Sequence, residues 1–142
     1  MNTWMNLATA CLASVALYGC PAHTYQLISD EESGKVVGLF SRDGGEPRIN
    51  LEFGGKQFAA SGFAISRSQN LAELRRQYGS YSKHYANVFS GLDSRHYVYS
   101  ANPELRSDDG QTLRCIFAWR LAKALAGTCT TSDGKQVEIR SE

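Results

Sequence analysis

The beginning of the sequence lacks charge. None of the first 19 residues is Lys, Arg, Asp or Glu, although charged residues make up 20% of the chain. The apolar run from Leu7 to Leu17 would rise only about 16 Å as a helix. A bilayer core is about 30 Å thick, which excludes a permanent membrane-spanning anchor in this segment. Its length is typical of the apolar core of a secretory signal peptide, so we expect residues 1–19 to be a signal peptide.

A large excess of charge of either sign is also missing. Lys and Arg number 15 and Asp and Glu number 14, so the net charge is +1 with histidines neutral. Proteins that bind nucleic acid usually carry a basic excess. The balance therefore predicts no nucleic-acid partner.

The common catalytic and nucleotide-binding motifs are absent as well. The sequence contains no G-x-S-x-G nucleophile motif, no H-E-x-x-H metal motif, no P-loop and no G-x-G-x-x-G. We therefore predict no catalytic residue and no metal site, and a function that is not enzymatic.

Four residues at the end of the uncharged segment, Leu17-Tyr18-Gly19-Cys20, resemble the lipobox of bacterial lipoproteins. In that class a signal peptidase cuts before the cysteine, whose sulfur takes a diacylglycerol and whose new amino group is usually acylated, commonly as palmitate. The resemblance implies that Cys20 carries this covalent lipid, and we expect no other cofactor. Pro21 follows in place of the Asp that accompanies inner-membrane retention, so the resemblance favours the outer membrane, facing the periplasm.

The cysteine count agrees with a modified Cys20. The chain has 4 cysteines, and Cys11 would leave with the signal peptide. A lipid on Cys20 leaves Cys115 and Cys129, which an oxidising compartment would join as a disulfide.

The rest of the chain has mainly the pattern of β-structure. The segments "YQLIS", "GKVVGLFS" and "RINLEF" are candidate strands, and Gly54-Gly55 then supplies a two-residue hairpin turn before "KQFAASGFAIS". This turn would place Leu51 opposite Phe58, so that the apolar faces of the two strands coincide.

One short helix is predicted in "NLAELRRQYG". Asn70 is a favourable N-cap, Glu73 lies three residues later as in a capping box, and Gly79 suits the position after the last turn. Arg75 and Arg76 fall on the exposed side, where they would be solvated or would contact lipid phosphates beneath a tethered domain.

The C-terminal third predicts a stapled hairpin. If residues 121–123 form a three-residue loop, "TLRCIFAWR" pairs with "ALAGTCTTS" so that Cys115 lies opposite Cys129 and Phe117 opposite Gly127. Directly opposed residues are close enough for a disulfide. The hairpin register therefore predicts the same Cys115–Cys129 bond as the cysteine count.

The turn after this hairpin is harder to reconcile with its neighbours. Asp133-Gly134 indicates a two-residue type I′ turn, which would place Glu138 opposite Cys129 and turn Val137 away from the face that carries Phe117. Either both faces of this sheet are partly covered or a bulge shifts the register.

The segment "SKHYANVFSGLDSRHYVYS" is predicted to form two amphipathic strands around a turn at 91–93. His84 and His96 would then lie about 13 Å apart, which is too far for one metal ion. Tyr85, Tyr97 and Tyr99 would either pack or form a binding surface, since tyrosine combines apolar area with a polar tip.

These features together predict a mainly β protein of the β-rich α+β kind. We expect a signal peptide (1–19), a lipid-anchored tether (20–24) and one antiparallel domain (25–142) whose meander curls into a small barrel or sandwich. The expected function is that of an envelope-anchored binding, adaptor or assembly module, with an inhibitor of a periplasmic partner as a variant. Its partners would be the membrane, through the lipid, and an envelope protein; the alternative is a small enzyme acting on envelope polymers.

Overall fold

The computed structural model describes residues 23–29, 35–42, 45–78, 83–91, 96–121 and 123–142. The predicted signal peptide, Cys20 and Gly79 lie outside these residues. The strands are β1 (His23–Ser29), β2 (Val37–Arg42), β3 (Arg48–Phe53), β4 (Lys56–Ser61), β5 (Ser66–Ser68), β6 (Val98–Ala101), β7 (Glu104–Ser107), β8 (Thr112–Trp119), β9 (Ala126–Thr131) and β10 (Gln136–Ser141), and the helices are α1 (Leu71–Tyr78) and α2 (Lys83–Phe89).

The strands form an antiparallel meander that closes into an eight-stranded barrel. The order around the barrel is β1, β2, β3, β4, β7, β8, β9 and β10, and β10 pairs with β1 to close it. The short β5 and β6 prolong β4 and β7. β6 and β7 keep one register against β8, interrupted at Asn102 and Pro103, because proline has no N–H to donate to a ladder. The predicted class and the barrel are confirmed. β1 begins at His23, two residues before position 25, where the barrel domain was expected to begin after the tether.

The barrel interior holds the larger hydrophobic core. Side chains alternate along each strand, so every second residue points inward. The type I′ turn at Gly54 and Gly55, whose φ angles are 59° and 74°, sets the predicted pairing of Leu51 with Phe58. The buried core residues are Leu27, Val36, Phe40, Ile49, Leu51, Phe58, Ala101, Leu105, Leu113, Cys115, Phe117, Trp119, Leu125, Cys129, Val137 and Ile139.

The disulfide lies inside this core. Cys115 pairs with Cys129 across β8 and β9 and Phe117 pairs with Gly127, as the hairpin register predicts. The Cys115–Cys129 bond is formed, with the two Cα atoms 4.0 Å apart, and both residues are buried. The predicted staple is confirmed.

The last strand differs from its prediction by one residue. Val137, not Glu138, lies opposite Cys129. The prediction of a two-residue turn at Asp133-Gly134 is wrong. Thr131 and Lys135 close a three-residue loop, in which Gly134 takes a φ of 90°. This extra residue is the bulge that the sequence left open, and it turns Val137 into the barrel.

A pair of helices covers part of the outer wall, where β8 and β9 would otherwise be exposed. The second hydrophobic cluster consists of Leu74, Tyr78, Tyr85, Val88, Phe89, Val98, Ala118 and Ala126, with Ile116 packed against it. Both faces of β8 and β9 are thus covered. The two explanations considered for the C-terminal sheet, a bulge and coverage of both faces, therefore both apply.

The first helix begins as predicted, with half of a capping box. The Oδ1 of Asn70 accepts the Glu73 N–H at 3.2 Å. The Glu73 carboxylate binds the Arg76 guanidinium, and the Asn70 N–H donates to the Ser68 hydroxyl at 3.1 Å. The N-cap alone is therefore sufficient to start α1.

The second helix was not predicted. Residues 83–89 are α2, so the first of the two strands predicted for this segment is wrong, whereas the second coincides in part with β6. Tyr85, Val88 and Phe89 follow the i, i+3, i+4 spacing of a helix face, and all three are buried.

Candidate functional site

The three tyrosines do not form one surface. Tyr85 is fully buried on α2 and its hydroxyl donates to the Ile116 carbonyl at 2.9 Å. Burial raises its pKa above the ordinary value. Tyr99 is half-buried and stacks on Trp119, with ring centroids 5.9 Å apart. Tyr97 alone is exposed, with the Arg67 guanidinium 4.4 Å above its ring. Tyr85 must therefore be removed from the predicted binding surface, because it is a core residue.

The two histidines are not on paired strands either. His84 belongs to α2, and His96 precedes β6. Within the described ranges, no group of three or more His, Cys, Asp or Glu side chains is placed to hold a metal ion. The separation of about 13 Å drawn from two extended strands no longer applies, since α2 is helical.

A groove on the outside of β1, β2 and β3 is the first surface with the character of a binding site. It has a volume of about 440 Å³. We call it the wall groove, and its lining residues are Gln26, Leu27, Ile28, Val37, Gly38, Leu39, Asn50, Glu52, Gln57 and Glu142.

Apolar side chains point outward at the centre of the wall groove. Val37 and Leu39 are each 47% exposed. The register places Val37 beside Ile28 on β1, so these side chains form one patch instead of isolated exposed residues. Clustered exposure of this kind commonly marks an interaction surface.

Gly38 brings the backbones together beneath this patch. It points inward between Val37 and Leu39, and a Cβ there would overlap the Asn50 carbonyl and the Leu51 side chain. A residue larger than glycine would push β2 away from β3. The shape of the wall groove therefore depends on Gly38 as well as on the exposed residues.

The polar rim of the wall groove is acidic or neutral. Glu52 accepts a hydrogen bond from the Gln57 side chain at 3.0 Å, and Glu142 joins β1 through its N–H to the Gln26 carbonyl at 3.0 Å. None of the described residues that line the groove is Lys or Arg. The groove therefore combines apolar contact area with negative charge.

A second cleft, which we call the end cleft, lies where α2 meets the loop between β8 and β9. It has a volume of about 620 Å³. The lining residues are His84, Asn87, Ser90, Arg120, Lys123, Ala124, Leu125, Arg140 and Ser141. Its charge is opposite to that of the wall groove, because its ionised lining groups are basic.

Two similar turns lie at the other end of the barrel. In residues 107–111 and 131–135 a hydroxyl side chain donates to the Asp two positions later, and Gly110 and Gly134 take positive φ angles. The Lys56 ammonium, followed by the Ser107 hydroxyl, lowers the pKa of Asp109 to about 2. The carboxylates of Asp109 and Asp133 accept hydrogen bonds within their own turns, which indicates a structural role.

No protein-family model, curated protein or solved structure matches the chain. Among the described residues, neither helix has the length and apolar character needed to cross a bilayer. The fold and surfaces therefore define the class: a small closed antiparallel barrel with a disulfide in its core and a helical pair on one wall.

Sequence reasoning missed both the wall groove and the end cleft. The one available signal for the groove was the run "VVGLF", in which Val37 and Leu39 are apolar although only Val36, Gly38 and Phe40 point inward. The end cleft had no comparable signal, since it forms only where α2, which was not predicted, lies beside the β8–β9 loop that carries Arg120 and Lys123.

Proposed function

We propose that this chain is a bacterial envelope lipoprotein, anchored through Cys20, whose barrel is a non-enzymatic module that binds an envelope protein at the wall groove. The observation that carries the binding role is the outward exposure of Val37 and Leu39 beside Ile28. A barrel buries its apolar residues inside, so this patch contributes nothing to the core and is best explained by contact with another molecule.

The charge of the wall groove indicates the kind of partner. Glu52 and Glu142 provide negative charge beside the apolar patch. A protein surface that presents apolar side chains flanked by Lys or Arg would complement both features. An enzyme whose substrate cleft has this character would be blocked on binding, which is the inhibitor variant of the proposal.

The anchor is supported by the lipobox resemblance and by the position of the first strand. β1 begins at His23, three residues after Cys20. Each buried acyl CH₂ contributes about 0.8 kcal/mol, so two or three chains hold a domain on the membrane essentially permanently. Mass spectrometry of the mature protein tests this directly, because a Cys20 peptide without acyl mass contradicts the anchor.

Site-specific photo-crosslinking in intact envelopes tests the binding surface. We would replace Leu39 with a photoreactive amino acid and, as a control, Arg114, which is exposed on the outside of β8. We expect one discrete protein adduct from position 39, lost when Val37→Ser is added, and none from position 114. The partner peptide in the adduct should contain apolar and basic residues.

The same experiment can refute the proposal. Equal adducts from positions 39 and 114, or an adduct that persists in the Val37→Ser background, would show that the wall groove does not select the partner. A co-purification in which Val37→Ser/Leu39→Ser retains the partner fully would have the same meaning, provided that the variant has the wild-type unfolding midpoint.

A further inference from the structure

The two ends of the barrel are defined by the strand registers. β1 starts at His23, and the antiparallel order puts the end of β8, the start of β9 and the end of β10 at that same end. Leu125 and Ser141 close it: the Leu125 N–H donates to the Ser141 hydroxyl at 2.9 Å, and the Ser141 N–H donates to the Leu125 carbonyl at 2.9 Å. We call this the N-terminal end, and the end cleft opens there.

The end cleft has the composition of an anion site. Arg120, Lys123 and Arg140 line it, and Asn87 and Ser90 on α2 add polar side chains. No carboxylate is found among its described lining residues. Arg120 and Lys123 lie three positions apart in the loop between β8 and β9, and a bound anion would reduce the repulsion between two such cations.

Arg120 is the cleft side chain best suited to a phosphate ligand. The planar guanidinium fork matches the oxygens of a phosphate group particularly well.

The rim of the N-terminal end combines apolar, aromatic and basic side chains. Leu121 is 61% exposed and lies between Arg120 and Lys123 in the chain. Tyr99 pairs with Trp119, so Tyr97 and Leu121 lie two positions beyond that pair at the same end. Tyr97, with Arg67 stacked above it, is 41% exposed. This mixture is characteristic of protein surfaces at the lipid headgroup level.

The length of the tether decides which surface this end meets. His23 is three residues after Cys20, a distance of at most about 11 Å when extended. A lipid on Cys20 would therefore hold the N-terminal end within reach of the headgroups. We propose that the end cleft binds the phosphate of an anionic lipid headgroup and docks the barrel on the membrane by its N-terminal end. The orientation rests on the proposed anchor; the cleft chemistry does not.

Vesicle binding by an unlipidated chain tests the cleft separately from the anchor. The chain 20–142 with Cys20→Ser contains every barrel strand and no acyl group. We expect it to co-sediment with phosphatidylcholine vesicles that contain phosphatidylglycerol, and not with phosphatidylcholine alone. Arg120→Gln/Lys123→Gln should weaken the partition by about thirty-fold, or about fivefold for each charge removed near an anionic surface.

The matched control removes the same charge from the opposite end. Lys35 and Lys135 are both exposed, and Lys35→Gln/Lys135→Gln should leave the partition unchanged. If both double variants weaken binding alike, the attraction is a property of net charge and the cleft assignment is refuted. If Arg120→Gln/Lys123→Gln lowers the unfolding midpoint, the single Lys123→Gln carries the test, because Lys123 is exposed in the loop.

A soluble competitor separates a lipid headgroup from free phosphate. We expect glycerol phosphate to shift the amide signals of the end cleft weakly and to displace the vesicles at high concentration. If inorganic phosphate binds the cleft but anionic vesicles neither bind nor compete, the lipid assignment is wrong. A missing acyl mass on Cys20 would refute the proposed anchor and leave the vesicle result unaffected, so the two failures can be told apart.

Discussion

Reducing the Cys115–Cys129 bond should remove a large share of the stability of the barrel. The two cysteines are 14 positions apart, so the bond closes a loop of about 15 residues. In the chain-entropy model such a loop contributes about 3 kcal/mol, because the unfolded chain loses that much freedom. Both cysteines are buried in the barrel core, where the sheet holds them opposite each other whether or not they are joined.

Urea unfolding of the chain 20–142 with Cys20→Ser, with and without reductant, measures this contribution at constant sequence. With a urea dependence of about 1–3 kcal/mol/M, a loss of about 3 kcal/mol lowers the midpoint by about 1–3 M. Cys115→Ala/Cys129→Ala is the matched control, since its midpoint should not respond to reductant. A reductant effect below about 1 kcal/mol, or an equal effect on the control, would refute the loop argument.

Two further predictions test the core and one of the turns. Gly127→Ala should destabilise the barrel by about 1–3 kcal/mol in urea unfolding, because its Cβ would overlap the buried Phe117 ring. Phe117→Leu should cost less in the Gly127→Ala background than in the wild type, and simple additivity would contradict this. The pKa of Asp109, lowered to about 2, should rise toward about 3.9 in Lys56→Gln when followed by NMR. Since the folded pKa lies below the unfolded one, the contribution of Asp109 to stability is present above about pH 4 and is lost as the pH falls through about 2; a wild-type midpoint near 4 would contradict the Lys56 contact.

The hairpin registers were the most predictable part of the fold. The residues of the turn and the alternation of apolar side chains both determine which residues lie opposite each other. Two consecutive glycines allow the positive φ angles that a type I′ turn needs, and the resulting pairing brought apolar faces together. At Asp133-Gly134 the same rule failed, because Asp-Gly also suits the longer loop in which only Gly134 needs a positive φ. Burial of the Val137 side chain decided between the two turns, and this burial exists only in the closed barrel.

Helix α2 was missed for a different reason. Its sequence contains aromatic and β-branched residues that favour strands, and it has no acidic residue in its first turn. What stabilises the helix is tertiary contact: the Tyr78 and Tyr85 rings lie 5.4 Å apart, and the Tyr85 hydroxyl binds the Ile116 carbonyl of β8. Packing of α2 against the outer wall of β8 and β9 overrode this local preference.

The two proposed binding sites lie on different parts of the barrel surface and differ in charge. The helical pair occupies the outer wall at β8 and β9, which leaves the wall of β1, β2 and β3 as the exposed apolar surface. The basic end cleft opens at the end where β1 starts, whereas the acidic wall groove runs along the side. A barrel docked by its N-terminal end would keep most of its side wall free of the membrane, and Glu52, near the other end of β3, would lie away from anionic headgroups. Membrane docking and protein binding can therefore occur in the same molecule at the same time.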